Sequence, residues 1–388
     1  MDLSSRYLRR KIGKGGPLLC GFLLCALCLL ATPASAEGGS FDNGFTWDLT
    51  DGLLTITGSG PMPDFPQEQP PWRSYCDNIT SAVVSDGVTT IGNYAFIFCD
   101  GLTSVKLPAS LETIGNYVFY DCFSLVLTSL PSGVTTIGNY AFYRCDGLTL
   151  TSLPSGVTTI EPGAFGMCVS LETMDLSECT RLTKIDSSAF MDCVSLRQVE
   201  LPAGLETIER HAFFRCISLA SVELPAGVEE VRERAFWECS QLAAVTFTRT
   251  TPPTLDHNVF ENCASLSTVY FPAEGAAGYV AALNGKLPSG VAATPGCFVT
   301  VTSGAHGTAS ADFVIAPEGE TVTLTAAPDS GWRLKEWQVV SGGVTAVENN
   351  TFTMPRGNVE ITAVFEEVSA PPHVHSWSTS WSSDAGGH

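Results

Sequence analysis

One motif recurs eight times along this chain, with a spacing of 23 to 25 residues. In each copy a phenylalanine follows a small or β-branched residue, a cysteine stands three positions later, and a leucine then leads into a short apolar strand pattern. The phenylalanines are Phe96, Phe119, Phe142, Phe165, Phe190, Phe213, Phe236 and Phe260, and the cysteines are Cys99, Cys122, Cys145, Cys168, Cys193, Cys216, Cys239 and Cys263. Such a period is typical of a solenoid, in which successive coils share one continuous core.

The strand pattern of each copy is Leu-x-x-Val-x-Leu, as in Leu102 to Leu107, and usually ends at a proline. Positions 1, 4 and 6 face the core, and the residues on either side of position 4 face outwards on a parallel ladder. Proline ends the strand because it cannot donate a ladder hydrogen bond. We therefore predict a β-rich solenoid of eight units over residues 91–272.

The segments around the repeats differ in composition. Residues 37–90 contain two alternating runs joined through Asp51-Gly52, which predicts a β-hairpin in an N-terminal cap. Residues 273–296 are predicted to form a C-terminal cap with a short helix over 276–283, and then a linker with a hinge. Residues 297–367 lose the period and are predicted to form a separate β-rich module, with 368–388 as a flexible tail.

The first 36 residues have the pattern of a secretory signal peptide, with a basic head, an apolar run from Leu18 to Leu30 and the cleavage site Ala34-Ser35-Ala36. The remaining chain would carry 15 basic and 39 acidic residues, a net charge of −24. That surface disfavours nucleic acid and tolerates basic partners. No later apolar stretch is long enough for a transmembrane segment. We expect a secreted, extracellular or cell-surface protein that is monomeric.

Eleven cysteines remain after cleavage, and eight of them occupy one position of the repeat. Stacked coils would place that position about 4.8 Å from its neighbour, so we predict a buried column of thiols. Disulfides between successive coils are not excluded by distance, but parallel side chains rarely reach the required dihedral angle. Reduced thiols acting as small hydrophobic groups are the favoured interpretation. Cys76, Cys179 and Cys297 lie outside the column.

Two stretches of the chain resemble known families. The phrases Gly-Val-Thr-Thr-Ile-Gly-Asn-Tyr-Ala-Phe (87–96 and 133–142) and Ser-Leu-Ala-Ser-Val-Glu-Leu-Pro (218–225) resemble BspA-type leucine-rich repeats of bacterial surface proteins. This resemblance implies a right-handed leucine-rich-repeat coil stack and an association with adhesion. Residues 319–365, with Gly-Trp-Arg-Leu-Lys-Glu-Trp at 331–337, resemble divergent InlB B-repeat modules. Such modules serve as spacers or stalks.

Two units depart from the strand pattern, since Thr128 and Thr151 stand where an inward valine is expected. Leu127 and Leu150 lie beside them, so a local bulge or a shifted register is possible. Without such a shift the two leucines would form an exposed apolar patch.

Catalytic and metal-binding motifs are not found in the predicted mature chain. His373 and His375 lack the helical spacing of a zinc site, and His211 precedes Cys216, a column cysteine that we expect to be buried. The Asp-Gly pairs are better explained as turns than as calcium ligands. We therefore expect no enzyme activity, no cofactor and no metal site.

The outward strand positions form the candidate ligand-binding face. Asp175, Glu200 and Glu223 should stack on successive rungs, and because like charges on neighbouring strands repel, a cation or a basic partner would relieve the row. The alternative is a solvated acidic face that Arg197 partly neutralises. The candidate face comprises Lys106, Leu127, Leu150, Asp175, Gln198, Glu200, Glu223 and Tyr270.

Three functional hypotheses remain open at this point. The favoured one is a non-catalytic, adhesion-type solenoid that binds an extracellular protein or another cell-surface macromolecule, with the β-rich module as a spacer. The second is the accessory part of a longer secreted hydrolase that continues beyond His388. The third is a calcium-dependent scaffold that uses the acidic row.

Overall fold

A computed structural model describes residues 37–66 and 69–368. Along the chain it has a β-hairpin cap, a stack of coils, a short helix and a β-rich module. The predicted signal peptide (1–36) and the tail from residue 369 lie outside the described residues, so both stay predictions.

Most regular structure consists of short strands. They are β1 (Glu37–Phe41), β2 (Phe45–Thr50), β3 (Leu53–Thr57), β4 (Gly60–Pro61), β5 (Ser81–Val84), β6 (Val88–Ile91), β7 (Ser104–Lys106), β8 (Thr113–Ile114), β9 (Thr136–Ile137), β10 (Thr159–Ile160), β11 (Thr173–Asp175), β12 (Lys184–Ile185), β13 (Gln198–Glu200), β14 (Thr207–Ile208), β15 (Ser221–Leu224), β16 (Glu230–Val231), β17 (Ala244–Phe247), β18 (Thr254–Leu255), β19 (Thr268–Pro272), β20 (Ala292–Ser303), β21 (Gly307–Ala311), β22 (Ile315–Ala316), β23 (Thr321–Pro328), β24 (Trp332–Ser341), β25 (Thr351–Thr353) and β26 (Val359–Glu367). The α-helix α1 covers Ala276–Leu283, and 3-10 turns include Asp42–Gly44, Arg73–Tyr75 and Ala273–Gly275.

The predicted cap hairpin is confirmed, with β2 and β3 antiparallel and Thr46 opposite Thr57. β3 then pairs in parallel with β5, and β5 with β7, so the stack begins one coil before residue 91. In this first coil Trp72 takes the place of the phenylalanine, with its ring centroid 6.3 Å from that of Phe96. The cap therefore covers an apolar coil face that water would otherwise meet.

The core of the stack is one unbroken file of the eight repeat phenylalanines. Successive ring centroids lie 5.2 to 5.7 Å apart with nearly parallel planes. All eight side chains are fully buried. The period predicted from the sequence is thus a physical winding in which each coil shields the next.

Two parallel ladders run along the stack. The first joins the Thr-Ile strands of successive coils in a nine-stranded sheet in the order β18-β16-β14-β12-β10-β9-β8-β6-β4. The second joins the strands that carry the Leu-x-x-Val-x-Leu pattern. It is divided into a segment ending at β7, the pair β11-β13 and a segment that starts at β15. The second ladder carries the predicted binding face.

The turn around each phenylalanine closes the coil. The residues two positions before and two after it have positive φ in all eight repeat units, for example Ser188 and Asp192, both at +58°. Only glycine, asparagine and aspartate adopt this region at low cost. Alternate backbone N–H groups of the turn donate to the next coil, as Phe142 N does to Ala164 O at 2.8 Å. On this side of the coil the neighbouring turns have no strand ladder, and these bonds between turns satisfy their backbone groups instead.

The cysteine column has a role beyond packing that the sequence did not reveal. From the second repeat onwards, each thiol donates to the carbonyl oxygen of the phenylalanine of the preceding coil at 3.0 to 3.2 Å. Burial raises the pKa of these thiols, to about 12 for Cys193 and Cys263. A buried, protonated thiol is unreactive. Each of these thiols fills space in the core of the coil and also donates a hydrogen bond to a buried carbonyl group.

Cys99 differs from the rest of the column because it forms a disulfide with Cys76, across one coil of 23 residues. The expectation of reduced thiols is therefore wrong for Cys99. The pairing joins the first coil to the next one, since the two Cα atoms are 4.4 Å apart. The other nine cysteines of the described chain are free.

We expect the thiol reagent DTNB to label about one cysteine of native 37–388 within minutes, because thiolate formation and access limit the reaction. That cysteine is Cys297, the free one that is not buried. In guanidinium chloride about nine thiols should react, and about eleven after reduction as well, because unfolding exposes the column and reduction opens the disulfide. Rapid native labelling of the column would contradict the assignment.

The end of the stack is closed by α1, at the position predicted for a helix. Tyr279 is fully buried, its ring lies 4.8 Å from that of Phe271, and its hydroxyl donates to Arg249 O at 2.8 Å. β20 then pairs in parallel with β19, from Thr268 opposite Ala292 to Pro272 opposite Gly296. Residues 292–296, assigned to a linker from the sequence, are therefore a further rung of the ladder, because the open edge of β19 is satisfied by the next strand.

The β-rich module continues from the same strand. β20 pairs in parallel with β26, and β26 pairs antiparallel with β24. β21, β23 and β25 form a second sheet. Val322, Phe352 and Ile361 lie in a core of the module's own.

Candidate binding face

The candidate face is the outward side of the second ladder, where strand residues alternate between core and solvent. In β13, Val199 is buried while Gln198 and Glu200 on either side are exposed. The same alternation holds in β7 and in β15. The predicted inward and outward positions are therefore correct for these strands.

The acidic row has the predicted order. Asp175 and Glu200 are register partners on the parallel strands β11 and β13. Glu200 accepts a hydrogen bond from Gln198 Nε2 at 2.7 Å, and Asp175 Oδ1 accepts one from Ser177 N at 2.8 Å. Glu223 lies in β15, the outward strand of the next coil, and is also exposed.

The row carries an electrostatic penalty. The pKa of Glu223 is raised, first by partial desolvation of its carboxylate and then by repulsion from Glu200. No basic side chain of the described residues forms an ion pair with Asp175, Glu200 or Glu223, and Arg197, expected to neutralise the row, makes none either. The row is therefore a place where bound positive charge would be favourable.

We expect Glu223→Gln to stabilise the protein at pH 7 by about 0.5 kcal/mol, the scale of a cross-strand charge pair. Because the folded state raises the carboxyl pKa, the ionised side chain destabilises the fold, and this effect disappears as the pH falls through the raised pKa. Urea unfolding at pH 7 and pH 4 measures it. The difference between variant and parent should vanish at pH 4, and Glu112→Gln, the same change at an exposed position off the row, serves as control.

The two leucines of the predicted face do not form an exposed patch. Leu150 is 1% exposed and Leu127 packs against the core, whereas Thr128 and Thr151 are exposed. In both coils the register has shifted so that the leucine takes the inward place of the threonine, because burying the larger apolar side chain is favoured. The shift interrupts the ladder between β7 and β11, apart from a bridge between Ser152 and Asp175. Leu127 and Leu150 are therefore corrected to core positions.

The ends of the candidate face differ from each other. Lys106 is exposed at the edge of the first ladder segment. Tyr270 is only half-exposed, because its ring meets that of Phe313 of the module at 5.9 Å. Tyr270 is thus partly covered by the module rather than open to a ligand. The structure brings together Asp175, Gln198, Glu200 and Glu223, and leaves Lys106 apart beyond the interruption.

Sequence reasoning missed a second surface, formed by tyrosines in the turns of the first three repeat units. Tyr94, Tyr117 and Tyr140 stack on one another, and Tyr120 stacks on Tyr143. The signal was present as the run Gly-Asn-Tyr repeated at 92–94, 115–117 and 138–140.

Residues 37–66 and 69–368 contain neither a metal-binding cluster nor a helix suited to span a membrane. No group of three or more His, Cys, Asp or Glu side chains in these ranges is arranged to hold a metal ion. No helix within them has both the length and the apolar character needed to cross a membrane.

Comparison with known families supports the interpretation of the repeats. The family model described as BspA type Leucine rich repeat region matches residues 73–183 and 177–277, in six copies. The model of the Divergent InlB B-repeat domain matches residues 298–369. No curated protein matches the chain.

Several solved structures similar to this chain are leucine-rich repeat proteins from bacteria. One from Bacteroides ovatus is 21% identical with a TM-score of 0.41, covering 63% of this chain and 71% of its own. One from Eubacterium ventriosum is 20% identical with a TM-score of 0.39, covering 69% and 87%. The T. pallidum leucine-rich repeat protein is 25% identical with a TM-score of 0.36, covering 46% and 90%.

Proposed function

Because this chain belongs to the family of BspA-type leucine-rich repeat proteins, we propose that it is a non-catalytic, adhesion-type binding protein that acts outside the cell or at its surface. Its ligand is a basic extracellular protein or another cell-surface macromolecule with positive charge. The observation that carries the proposal is the acidic row Asp175, Glu200 and Glu223, which is ordered by the ladder and has no basic partner among the described residues.

Some acidic residues of the same coils are neutralised by basic side chains, unlike those of the row. On the turn side Asp192 pairs with Arg215 at 3.1 Å, and Glu233 pairs with Arg210 at 3.2 Å. Unpaired like charges on neighbouring strands are destabilising, so keeping them is consistent with a use in binding. Complementary charge would speed association and select partners more than it would raise affinity.

The β-rich module fits the role of a spacer. β20 runs without interruption from the last ladder rung into the module, and Phe313 packs on Tyr270. A continuous strand and a packed contact favour a firm connection over a free hinge.

Binding of a lysine-rich peptide and of purified basic extracellular-matrix proteins to immobilised 37–388 tests the proposal. We expect saturable binding that weakens as salt rises, and at least about tenfold weaker binding after the triple change Asp175→Asn, Glu200→Gln and Glu223→Gln. The triple change Glu112→Gln, Glu206→Gln and Glu261→Gln removes the same charge off the row and should bind as the parent does. Equal losses in both triple variants, or no saturable binding, would contradict the proposal.

A further inference from the structure

The tyrosine strip, defined as Tyr94, Tyr117, Tyr120, Tyr140 and Tyr143, lies on the turn side of the solenoid. Its rings form two files, with centroid distances of 5.1 and 5.3 Å in the first and 5.1 Å in the second. All five side chains are half-buried. Tyr117, the central ring of the first file, has a stacked ring on each face, so its exposed part is the ring edge. Desolvation raises the pKa of Tyr120 to about 12, so its hydroxyl stays protonated.

The fold does not demand tyrosine at these places. Tyr94, Tyr117 and Tyr140 have φ of +65°, +57° and +52°, a region that is unfavourable for a large side chain. The later coils have other residues at the equivalent position, namely Gly163, Ser188, His211, Arg234 and Asn258. The positive φ itself belongs to the turn of every repeat unit, so the turn geometry does not require a tyrosine there.

Duplication explains part of the repetition of the tyrosines, because residues 87–96 and 133–142 are identical and both contain Gly-Asn-Tyr. The stretches 127–137 and 150–160 are also identical, yet the first continues as Gly-Asn-Tyr and the second as Glu-Pro-Gly. Gly-Asn-Tyr also follows Thr-Ile at 115–117, where the two residues before Thr-Ile are Leu111-Glu112 instead of Val-Thr. The tyrosine is therefore present in three coils and absent from the next one, although the strand before it is the same.

The glycine and the asparagine of the run have a structural explanation, which leaves the tyrosine without one. Asn93 Oδ1 accepts from Asn116 N at 2.5 Å, and Asn116 Oδ1 accepts from Asn139 N at 2.7 Å. A side chain at Gly115 would meet Asn93 Oδ1 at 2.7 Å, so glycine leaves room for this ladder. The amide Nδ2 atoms of Asn93 and Asn116 have no acceptor among the described residues.

The strip is nearly neutral on a strongly acidic protein. Residues 88–145, which include the strip, contain three acidic and two basic side chains. Residues 186–263, in the later coils, contain twelve acidic and six basic side chains. Of those near the strip, Asp121 and Arg144 pair with each other at 3.1 Å. The surface thus offers apolar ring edges and amide donors, repeated once per coil, with little charge.

We propose that the tyrosine strip and the adjoining Asn93 and Asn116 amides form a second binding site, for a linear, uncharged polysaccharide lying along the solenoid axis. Such a ligand repeats one chemical unit, as the strip does, whereas a folded protein surface does not. Its C–H groups can make van der Waals contact with the exposed ring edges, and its hydroxyl groups accept from the amides. This site is separate from the acidic row and does not depend on the function proposed for that row.

Affinity electrophoresis of 37–388 in gels containing a soluble β-glucan, a galactomannan or an α-glucan tests the site. We expect at least one of these neutral polymers to retard the protein. Asn116→Asp keeps the Oδ acceptor of the ladder but removes the amide donor, and Tyr143→Ala removes a ring at a position without positive φ. Each change should weaken retardation about tenfold, since central tyrosines often carry much of a binding energy.

Phe214→Ala is the matched control, because Phe214 occupies the position of Tyr143 in a later, charged coil and its ring stacks on Trp237 at 4.7 Å. It should leave retardation unchanged, and thermal unfolding should show that the variants fold. The proposal is overturned if none of the polymers retards the parent, if Phe214→Ala weakens retardation as much as the strip variants, or if a proline-rich peptide binds the strip instead.

Discussion

Replacing Trp72 with alanine should lower the free energy of unfolding by about 3–5 kcal/mol, the range for large aromatic deletions from a core. The indole is fully buried between the cap and the first repeat phenylalanine. Its ring centroid lies 5.3 Å from that of Phe65 and 5.6 Å from that of Phe41, and Nε1 donates to Ala95 O at 2.7 Å. The change therefore leaves a cavity and an unsatisfied carbonyl group at the junction.

Guanidinium chloride unfolding of 37–388, followed by circular dichroism, measures this effect. Trp237→Ala is the control, because Trp237 is the same residue type on a half-exposed surface of the stack and should cost much less. Equal losses for the two tryptophans would show that the cap is not anchored through Trp72.

Phe165→Ala should destabilise the protein by a similar amount, about 3–5 kcal/mol. Phe165 stands in the middle of the phenylalanine file, with Phe142 and Phe190 each 5.4 Å away between ring centroids. Because each coil of a solenoid contacts only its neighbours, the cavity weakens two interfaces at once. The same denaturant titration provides the measurement.

Tyr143→Ala is a suitable comparison, since Tyr143 is a stacked ring on the outside of the neighbouring coil. Its loss should be clearly smaller, because part of the side chain already meets water. A loss at Phe165 no larger than that at Tyr143 would refute the claim that the file is the structural core.

The repeat period determined the winding, the Phe file and the inward positions of most strands. This information is local, since the spacing of the apolar anchors leaves few ways to bury them other than in stacked coils. The acidic row could be predicted for the same reason, because alternation on a ladder fixes which residues face outwards. The cap hairpin was equally visible through Asp51-Gly52.

The repeat pattern does not show which of two adjacent side chains is buried, or which strand pairs with the last edge of a ladder. Leu150 took the inward place of Thr151 because burial of the larger apolar group outweighed a regular ladder. Tyr270 is partly covered because β20 pairs with the edge of β19, which would otherwise be open. This pairing brings the β-rich module close enough for Phe313 to contact the Tyr270 ring.

The coil and its core therefore follow from the periodic apolar pattern of the chain, and the net charge follows from its composition. The folded structure was needed to show which cysteines form the disulfide or donate hydrogen bonds, where the second ladder is interrupted and which outward residues remain exposed. Those outcomes depend on distances between coils, as in the 3.1 Å bond from Cys193 Sγ to Phe165 O, and residue types alone do not specify such distances.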